Sequence, residues 1–372
     1  MKFLLTCGGT AGHINPAIAI ADALRKILPD CEILFVGSGR ELENKLIPMQ
    51  GYPIRNITIT GFSRSRSLSS LRHNAVTLKN LAVSRRQSRK ILEEFAPDAV
   101  IGTGGYVCYP VLTQAVKKGI PTLIHESNAV PGLTTQMVSD KVDRVLIAFA
   151  GTENLYKKPD RVVLTGTPVR EGFETLTYRQ ARERLGIGQE PLVVSFWGSL
   201  GATHMNEMMP AFIRKNIEQG AFYHVHATGG GEEGKRGLLE ALGQIGIEKL
   251  PEREDIRPYI DNMPLLMSAA DLVLCRAGAS TISELTVKGC PAVIVPSPNV
   301  AGDHQRRNAE QLEKAGGAVM ILEQDCTAEV LFNTVTELLG DKSRLQSMSK
   351  ALKAIAAPGA AEQIAQMIIR MC

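Results

Sequence analysis

Residues 1–20 of the chain read MKFLLTCGGTAGHINPAIAI. A short apolar run breaks into a glycine-rich turn, and a helical pattern follows the turn. This order predicts a β-strand, a tight turn and an α-helix, the first step of a parallel α/β sheet. The glycines let the backbone approach a ligand closely, and the helix N-terminus favours negative charge.

The same alternation of short apolar runs and helical patterns continues along the chain. It predicts an α/β protein with two doubly wound parallel-sheet domains, which we expect to face each other across a ligand-binding cleft. The predicted strands are Lys2–Cys7, Glu32–Val36, Ile54–Ile59, Ala99–Ile101, Thr122–His125, Arg144–Ala148, Leu192–Phe196, Phe222–Ala227, Leu272–Leu274, Ala292–Val295 and Ala318–Leu322. We place one domain at residues 1–165 and the second at 166–350. A terminal helix at 351–372 either belongs to the second domain or crosses back to the first.

Composition narrows the class of protein. The chain has 372 residues, of which 44% are hydrophobic and 22% charged, and a formal charge of +4. Its seven scattered cysteines form no CxxC pair, which indicates reduced thiols in the cytoplasm rather than disulfides or a zinc site. No run of about 18 apolar residues occurs, so we expect any membrane contact to be peripheral.

Three predicted strand ends in the first half carry glycine or polar residues, namely 8–13, 102–106 and 125–128. Ligands of open α/β sheets bind at the carboxyl ends of the strands. His13 is a candidate general base because the ordinary histidine pKa lies near neutral pH, and Glu126 is the alternative. Purely structural roles stay open for the first loop and for both residues.

Three further strand ends in the second half have the same character, at 197–202, 276–284 and 296–305. Backbone N–H groups and the hydroxyl of Ser199 suit a phosphate, and Gln305 suits sugar hydroxyls. Glu284, expected in the first turn of a helix, suits the vicinal diol of a ribose or acts only as a favourable first-turn glutamate. Metal-binding motifs are missing from the sequence, so we expect no metal and no other cofactor. His224 and His226 share a predicted strand face and are expected to be structural.

Charge is unevenly distributed. Residues 44–92 contain ten cations and no Asp or Glu, with apolar residues between the cations. A basic amphipathic region of this kind, Arg64 to Lys90, predicts contact with an anionic membrane surface. A solvated basic face and an RNA-binding patch are the alternatives, and the scarcity of aromatic residues argues against nucleic acid.

Taken together, several segments closely resemble the MurG family over nearly the whole chain. They are GGTAGHINPA, GTGGYVCYP, IHESNAVPGLT, GTPVR at 166–170, GSLGA, and CRAGASTISELTVKGCPAVIVPSP followed by HQRRNA. The resemblance implies the glycosyltransferase B fold, with the donor in the second domain and the acceptor in the first. It implies inverting transfer of N-acetylglucosamine from UDP-N-acetylglucosamine to the 4-hydroxyl of the muramic sugar in undecaprenyl-diphospho-muramoyl-pentapeptide (lipid I), which gives lipid II.

The resemblance also implies individual roles. The donor-binding residues are Thr10, Ala11, Gly12, Asn128, Arg170, Ser199, Ile260, Ala279, Ser280, Thr281, Ile282, Ser283, Glu284 and Gln305. The acceptor-binding residues are Gly104, Gly105 and Tyr106, and the catalytic candidates His13 and Glu126 face the acceptor. Arg170 and Ser199 hold the diphosphate, and the backbone of Ile260 reads the uracil edge. The implied location is the cytoplasmic face of the membrane, with cell-wall assembly proteins as partners.

Two rival functions stay open. One is a related glycosyltransferase of this fold with a different lipid acceptor, such as diacylglycerol. The other is a noncatalytic protein that senses the sugar nucleotide at the membrane. Turnover with lipid I discriminates among the three.

Overall fold

The computed structural model describes residues 1–61, 68–170, 172–198 and 201–372, and for residues 68–75, 78 and 301 it describes the backbone alone. The chain forms two compact units. The first is Met1–Val169 with Ala357–Cys372, and the second is Arg170–Ala356. The division therefore falls at Val169 rather than at 165, and the terminal segment joins the first unit from Ala357 onward rather than from 351.

Among the described residues, the first unit contains a parallel sheet of seven strands. The strands are β1 (Lys2–Thr6), β2 (Glu32–Gly37), β3 (Ile54–Asn56), β4 (Ala99–Gly102), β5 (Thr122–Glu126), β6 (Arg144–Ile147) and β7 (Val162–Leu164). The helices are α1 (Ala11–Ile27), α2 (Glu41–Met49), α3 (Leu68–Phe95), α4 (Cys108–Lys117), α5 (Leu133–Val138) and, from the end of the chain, α15 (Ala360–Met371). The order across the sheet is β3-β2-β1-β4-β5-β6-β7.

Both faces of this sheet are covered, which explains why its strands read as nearly continuous apolar runs. On one face, Phe3 and Leu5 of β1 pack with α1 and with Ile364 and Ile368 of α15. On the other face, Leu4 packs with residues of α3, α4 and α5. The C-terminal helix is thus part of the first unit's core.

The second unit repeats the architecture with six parallel strands in its described part. They are β8 (Leu192–Phe196), β9 (Tyr223–Ala227), β10 (Glu254–Arg257), β11 (Leu272–Cys275), β12 (Ala292–Ile294) and β13 (Ala318–Met320), in the order β10-β9-β8-β11-β12-β13. The helices are α6 (Gly172–Thr175), α7 (Tyr178–Leu185), α8 (Thr203–Gln219), α9 (Gly231–Gln244), α10 (Met263–Ala269), α11 (Ala279–Lys288), α12 (His304–Lys314), α13 (Ala328–Gly340) and α14 (Lys342–Ala354).

Each sheet has one point where the strand order reverses. In the first unit the chain builds outward from β1 to β3 and then returns to the other side of β1 with β4. In the second unit the reversal lies between β8 and β11. Loops that leave two such strands diverge to opposite faces and open a crevice at the carboxyl ends of the strands, where ligands of this fold bind.

The sequence analysis did not predict two of the strands, β7 and β10. Strand β7 has three residues and lies at the edge of its sheet. Strand β10 reads Glu-Asp-Ile-Arg, a composition typical of a loop. It is a strand because the carboxylate of Glu254 is buried and accepts hydrogen bonds from Asn216 Nδ2 at 2.6 Å and from His224.

Candidate functional site

In the first unit the loops after β1 and β4 interlock at the reversal point. The N–H of Gly8 donates to the carbonyl of Gly104 at 3.2 Å. Gly105 has a φ of +89°, and a β-carbon there would stand 2.4 Å from the carbonyl oxygen of Gly8. Only glycine fits at that position, so the GTGG segment is required for the two backbones to meet.

This interlock places His13. A β-carbon on Gly104 would lie 2.3 Å from Nδ1 of His13, so the imidazole occupies space that only a glycine leaves open. The hydroxyl of Thr103 donates to the carbonyl oxygen of His13 at 2.7 Å. The first two candidate segments of the sequence therefore form one structure, with the imidazole between them.

A cavity of about 190 Å³ lies above these loops. Its lining includes Gly9, Thr10, His13, Ser38, Arg40 and Tyr106. The ring of Tyr106 packs on Gly61, where a β-carbon would stand 2.4 Å from its Cε2. Helix α1 begins at Ala11 directly beside the cavity, and no side chain caps its N-terminus. The cavity thus combines an open helix N-terminus, one guanidinium and one imidazole, which suits an anionic ligand with a reactive hydroxyl.

In the third candidate segment, residues 125–128, the carboxylate of Glu126 is bound by groups of its own loop. Glu126 is 4% exposed, and each of its carboxylate oxygens accepts two hydrogen bonds. The donors are the backbone N–H and side-chain amide of Asn128, the N–H of Gly132 and the hydroxyl of Thr135, at 3.0, 2.8, 2.9 and 2.6 Å. This carboxylate organises the loop after β5 and orients Asn128.

In the second unit the loops after β8 and β9 interlock in a similar way. A β-carbon on Gly229 would stand 2.2 Å from the backbone nitrogen of Gly201, and one on Gly201 would stand 2.6 Å from the carbonyl of Thr228. Ser199, predicted to bind phosphate, lies outside the described residues. Sequence reasoning missed the segment Thr228–Gly231, although three glycines directly after a strand could have indicated a close approach of backbones.

Helix α11 begins at Ala279 after the loop that follows β11. Its N-cap residue is Gly278, so no side chain takes its first N–H groups. The hydroxyl oxygen of Ser280 is buried and has no hydrogen-bond partner within the described residues. Buried polar atoms without partners are rare in folded proteins, and a ligand is a common reason for one. The segment Ala279–Ser283 is thus open toward a ligand.

Glu284 lies in the second turn of α11 and not in the first, which corrects the sequence prediction and excludes a simple first-turn role. It is 8% exposed, and this burial raises the pKa of its carboxyl to about 7, although the nearby Arg170 guanidinium opposes the shift. Burial likewise raises the pKa of Tyr259, which lies within electrostatic range of Arg170, Asp261 and Glu284. The Nε of Arg170 is buried without a partner among the described residues.

The structure therefore brings together Arg170, Glu284 and the loop of Tyr259 and Ile260 at one end of the second sheet. Gln305 lies in the first turn of α12, which follows the loop after β12. Its Oε1 accepts from the N–H of Ser297 at 2.9 Å, so its amide nitrogen is the group that can donate to a ligand. Asn308 of the same helix donates to the carbonyl of Ala277 at 3.2 Å and ties α12 to the loop before α11.

His224 and His226 belong to a buried network and not to a ligand site. The Oγ of Ser195 lies 2.8 Å from Nε2 of His224 and 2.7 Å from Nδ1 of His226. Glu254 accepts from the other nitrogen of His224 at 2.8 Å. Burial lowers the pKa of His226 well below the ordinary histidine value, so this ring is neutral. The network supports β8, β9 and β10 in the core.

The described ranges contain neither a cluster of metal ligands nor a membrane-spanning helix. No three His, Cys, Asp or Glu side chains cluster there as metal ligands would. None of the helices in those ranges combines the length and the apolar character that crossing a bilayer requires.

Two doubly wound parallel sheets, each with glycine-rich loops at its reversal point, define a glycosyltransferase of the B fold. The family model of the glycosyltransferase family 28 N-terminal domain matches residues 3–147, and that of the C-terminal domain matches residues 192–364. Together with similarity to curated relatives, these matches establish that the chain belongs to glycosyltransferase family 28 and, within it, to the MurG family.

Curated relatives match from end to end. One from Acetivibrio thermocellus is 42% identical over 369 residues, which cover 99% of this chain and 97% of the relative. It is named UDP-N-acetylglucosamine–N-acetylmuramyl-(pentapeptide) pyrophosphoryl-undecaprenol N-acetylglucosamine transferase. One from Ruminiclostridium cellulolyticum with the same name is 42% identical and covers 99% of both chains. The crystal structure of Acinetobacter baumannii MurG superposes with a TM-score of 0.75 at 28% identity and covers 99% of both chains.

Proposed function

We propose that this chain transfers N-acetylglucosamine from UDP-N-acetylglucosamine to the 4-hydroxyl of the muramic sugar in lipid I, which gives lipid II for peptidoglycan. The observation that carries the proposal is the full-length similarity to relatives named for this transfer, at 42% identity. The geometry supports it because each unit has its own open site at a reversal point, as a two-substrate transferase needs.

The donor binds in the second unit. The ionised carboxylate of Glu284 accepts hydrogen bonds from the ribose diol, and the backbone at Ile260 reads the uracil edge. Arg170, Ser199 and the open N-terminus of α11, at Ala279–Ser283, take the diphosphate. Gln305 donates to sugar hydroxyls through its amide nitrogen. The partnerless Nε of Arg170 and Oγ of Ser280 support this placement, because a ligand would satisfy both.

The acceptor binds in the first unit, in the cavity beside Gly104, Gly105 and Tyr106. Thr10, Ala11 and Gly12 lie at the open N-terminus of α1 and stabilise diphosphate charge near the reaction. Asn128, oriented by Glu126, contacts the donor sugar.

His13 is the general base that takes the proton from the attacking hydroxyl. Two features favour it over Glu126. The imidazole of His13 lies beside the cavity. Each oxygen of the Glu126 carboxylate, in contrast, already accepts two hydrogen bonds from its own loop. Inversion at C1 follows from a single displacement by the hydroxyl that His13 activates. The departing UDP carries its charge into the helix N-termini and the guanidinium of Arg170, without a metal ion.

The basic region extends the proposal to the cytoplasmic face of the membrane. Val76, Lys79, Val83 and Arg86 are exposed and share one face of α3, while Thr77, Ser84 and Ser88 are buried on the other. A face of alternating valine and cation suits anionic headgroups with shallow apolar insertion. Arg64 and Arg66 lie outside the described residues. Cell-wall assembly proteins are partners by resemblance alone.

The deciding experiment incubates the purified chain with radiolabelled UDP-N-acetylglucosamine and one of two acceptors, lipid I with a shortened lipid or diacylglycerol. A third reaction without acceptor is the control. Label in a lipid II product only with the first acceptor supports the proposal. Label on diacylglycerol supports the rival transferase. Tight donor binding with no labelled product from either acceptor contradicts the proposed catalytic activity. It supports a noncatalytic protein that senses the sugar nucleotide.

A further inference from the structure

A buried carboxylate lies beneath the acceptor cavity. Glu43, on α2, is 0% exposed. Its Oε1 accepts from the N–H of Gly9 at 2.8 Å and from the hydroxyl of Ser38 at 2.7 Å. Its Oε2 accepts from the N–H of Ser38 at 2.6 Å and from that of Gly39 at 3.1 Å. One side chain therefore joins the loop after β1 to the loop after β2.

The backbone is shaped to admit this carboxylate. A β-carbon on Gly8 would stand 2.8 Å from Oε1 of Glu43, and one on Gly37 would stand 2.8 Å from Oε2. Both distances are shorter than real β-carbon contacts, and the four hydrogen bonds prevent the carboxylate from moving aside. Glu43 is thus one reason for glycine at both positions, beside Val107 at Gly8 and Ile54 at Gly37.

The hydrogen bonds to Glu43 differ from the pattern that is usual in nucleotide-binding folds. Backbone N–H groups in the turn after the first strand ordinarily receive a phosphate of the ligand. Here the carboxylate of Glu43 accepts from Gly9 in that turn, and also from the N–H groups of Ser38 and Gly39 in the turn after β2. A buried carboxylate is costly to desolvate, and the four hydrogen bonds that it accepts offset that cost.

We propose that Glu43 is a positioning residue of the acceptor site. By fixing the two loops against each other, its carboxylate sets the positions of Thr10 and Arg40, both of which line the cavity. This inference rests on the proposed function, in which the first unit binds the lipid-borne acceptor. Glu43 touches no substrate and acts through the loops that do.

The first test compares Glu43→Gln with Glu41→Gln. The glutamine keeps the shape, but its amide nitrogen faces two of the four donors, so one loop detaches. We expect the acceptor KM to rise about tenfold or more while the donor KM stays within about twofold. Glu41 lies in the first turn of the same helix and is exposed, so its variant controls for lost charge and keeps both constants.

The second test is chemical rescue. Glu43→Ala leaves three backbone N–H groups and one hydroxyl around a space of carboxylate shape. Added formate should lower the acceptor KM of this variant and leave the wild type unchanged, with chloride at equal ionic strength as the control. Ser38→Ala, which removes one of the four hydrogen bonds and preserves the charge, should raise the acceptor KM by about two- to threefold.

The outcomes distinguish a failure of the proposed transferase function from a failure of the positioning role of Glu43. If wild-type protein transfers sugar to no lipid, the proposed function fails. If the wild type is active but Glu43→Gln leaves the acceptor KM unchanged, or raises both KM values equally, the positioning role is wrong. Should Glu43→Ala or Glu43→Gln fail to fold, Ser38→Ala decides, and an unchanged acceptor KM there also overturns the role.

Discussion

The imidazole of His13 lies against the α-carbon of Gly104, so closely that a β-carbon there would stand 2.3 Å from Nδ1. The neighbouring hydroxyl of Thr103 donates to the carbonyl oxygen of His13 at 2.7 Å. The histidine belongs to α1, but the loop after β4 determines where its ring can lie. Two glycine-rich segments distant in sequence thus cooperate to hold one side chain.

Gly104→Ala should therefore lower turnover by about 100-fold, because a methyl group displaces the imidazole from its place. Gly104 also has a φ of +118°, so some stability will be lost through backbone strain. Gly119→Ala is the matched control, since Gly119 has a φ of +70° and nothing within 4 Å of its would-be β-carbon. It carries similar strain without a clash. Equal turnover losses in both variants would mean that strain alone matters.

His13→Ala should lower turnover by roughly 100-fold or more and leave donor affinity nearly unchanged, because the base acts on the acceptor hydroxyl.

Glu126→Gln should instead lower stability by roughly 1–3 kcal/mol, since the amide loses acceptor capacity for buried donors. Single-turnover kinetics and thermal unfolding distinguish the two. Normal turnover of the His13→Ala variant would show that His13 is not the general base.

Much of this architecture follows from the sequence because parallel strands between helices read as apolar runs that end in glycine. The bounds of β8 were predicted without error, and the other ten predicted strands shift by one to three residues at their ends. Strand β10 was missed because its stability depends on Glu254 meeting His224 across the sheet, a contact without local signal.

The candidate site was predictable where strand ends carry motifs and unpredictable where a residue acts from a helix surface. His13, Glu126 and Glu284 were singled out because they lie in motifs at or just beyond strand ends, although His13 and Glu284 themselves belong to the helices that follow. Glu43 reads as one more helical glutamate, and its four hydrogen bonds exist only once β1 and β2 are adjacent. The four hydrogen bonds that the Glu126 carboxylate accepts likewise form only once the loop after β5 has folded.

The carboxyl of Glu284 makes stability depend on pH. Its pKa is about 7 in the folded chain against an ordinary value of 4.5, so the folded state holds the proton more tightly. Stability from this group is fully present below about pH 4.5 and is lost as pH rises through about 7. The loss amounts to roughly 3 kcal/mol. Glu284→Gln should stabilise the second unit at pH 8 and change it little at pH 5, as followed by fluorescence of Trp197, the only tryptophan in the sequence.

The same variant should weaken donor binding at pH 8, because a glutamine carries no charge and only one acceptor oxygen for the ribose diol. Stability and affinity are thus expected to change in opposite directions. Titration with UDP measures the affinity directly. Unchanged affinity for UDP would refute the contact with ribose while leaving the pH dependence intact.

Chelation should leave activity unchanged. The proposed stabilisation of the departing diphosphate comes from helix N-termini and Arg170, which EDTA does not affect. The assay compares turnover after dialysis against EDTA with turnover in added magnesium. A loss that magnesium restores would contradict the proposed mechanism.

Binding to anionic vesicles should depend on the exposed face of α3. Lys79 and Arg86 lie on it with Val76 and Val83, which are 54% and 38% exposed. Each cation near such a surface contributes roughly 1 kcal/mol, so Lys79→Gln with Arg86→Gln should weaken binding about 30-fold at low salt. Arg214→Gln with Arg236→Gln removes the same charge from exposed helices of the second unit and is the control. Equal weakening in both double variants would mean that net charge and not this face recruits the protein.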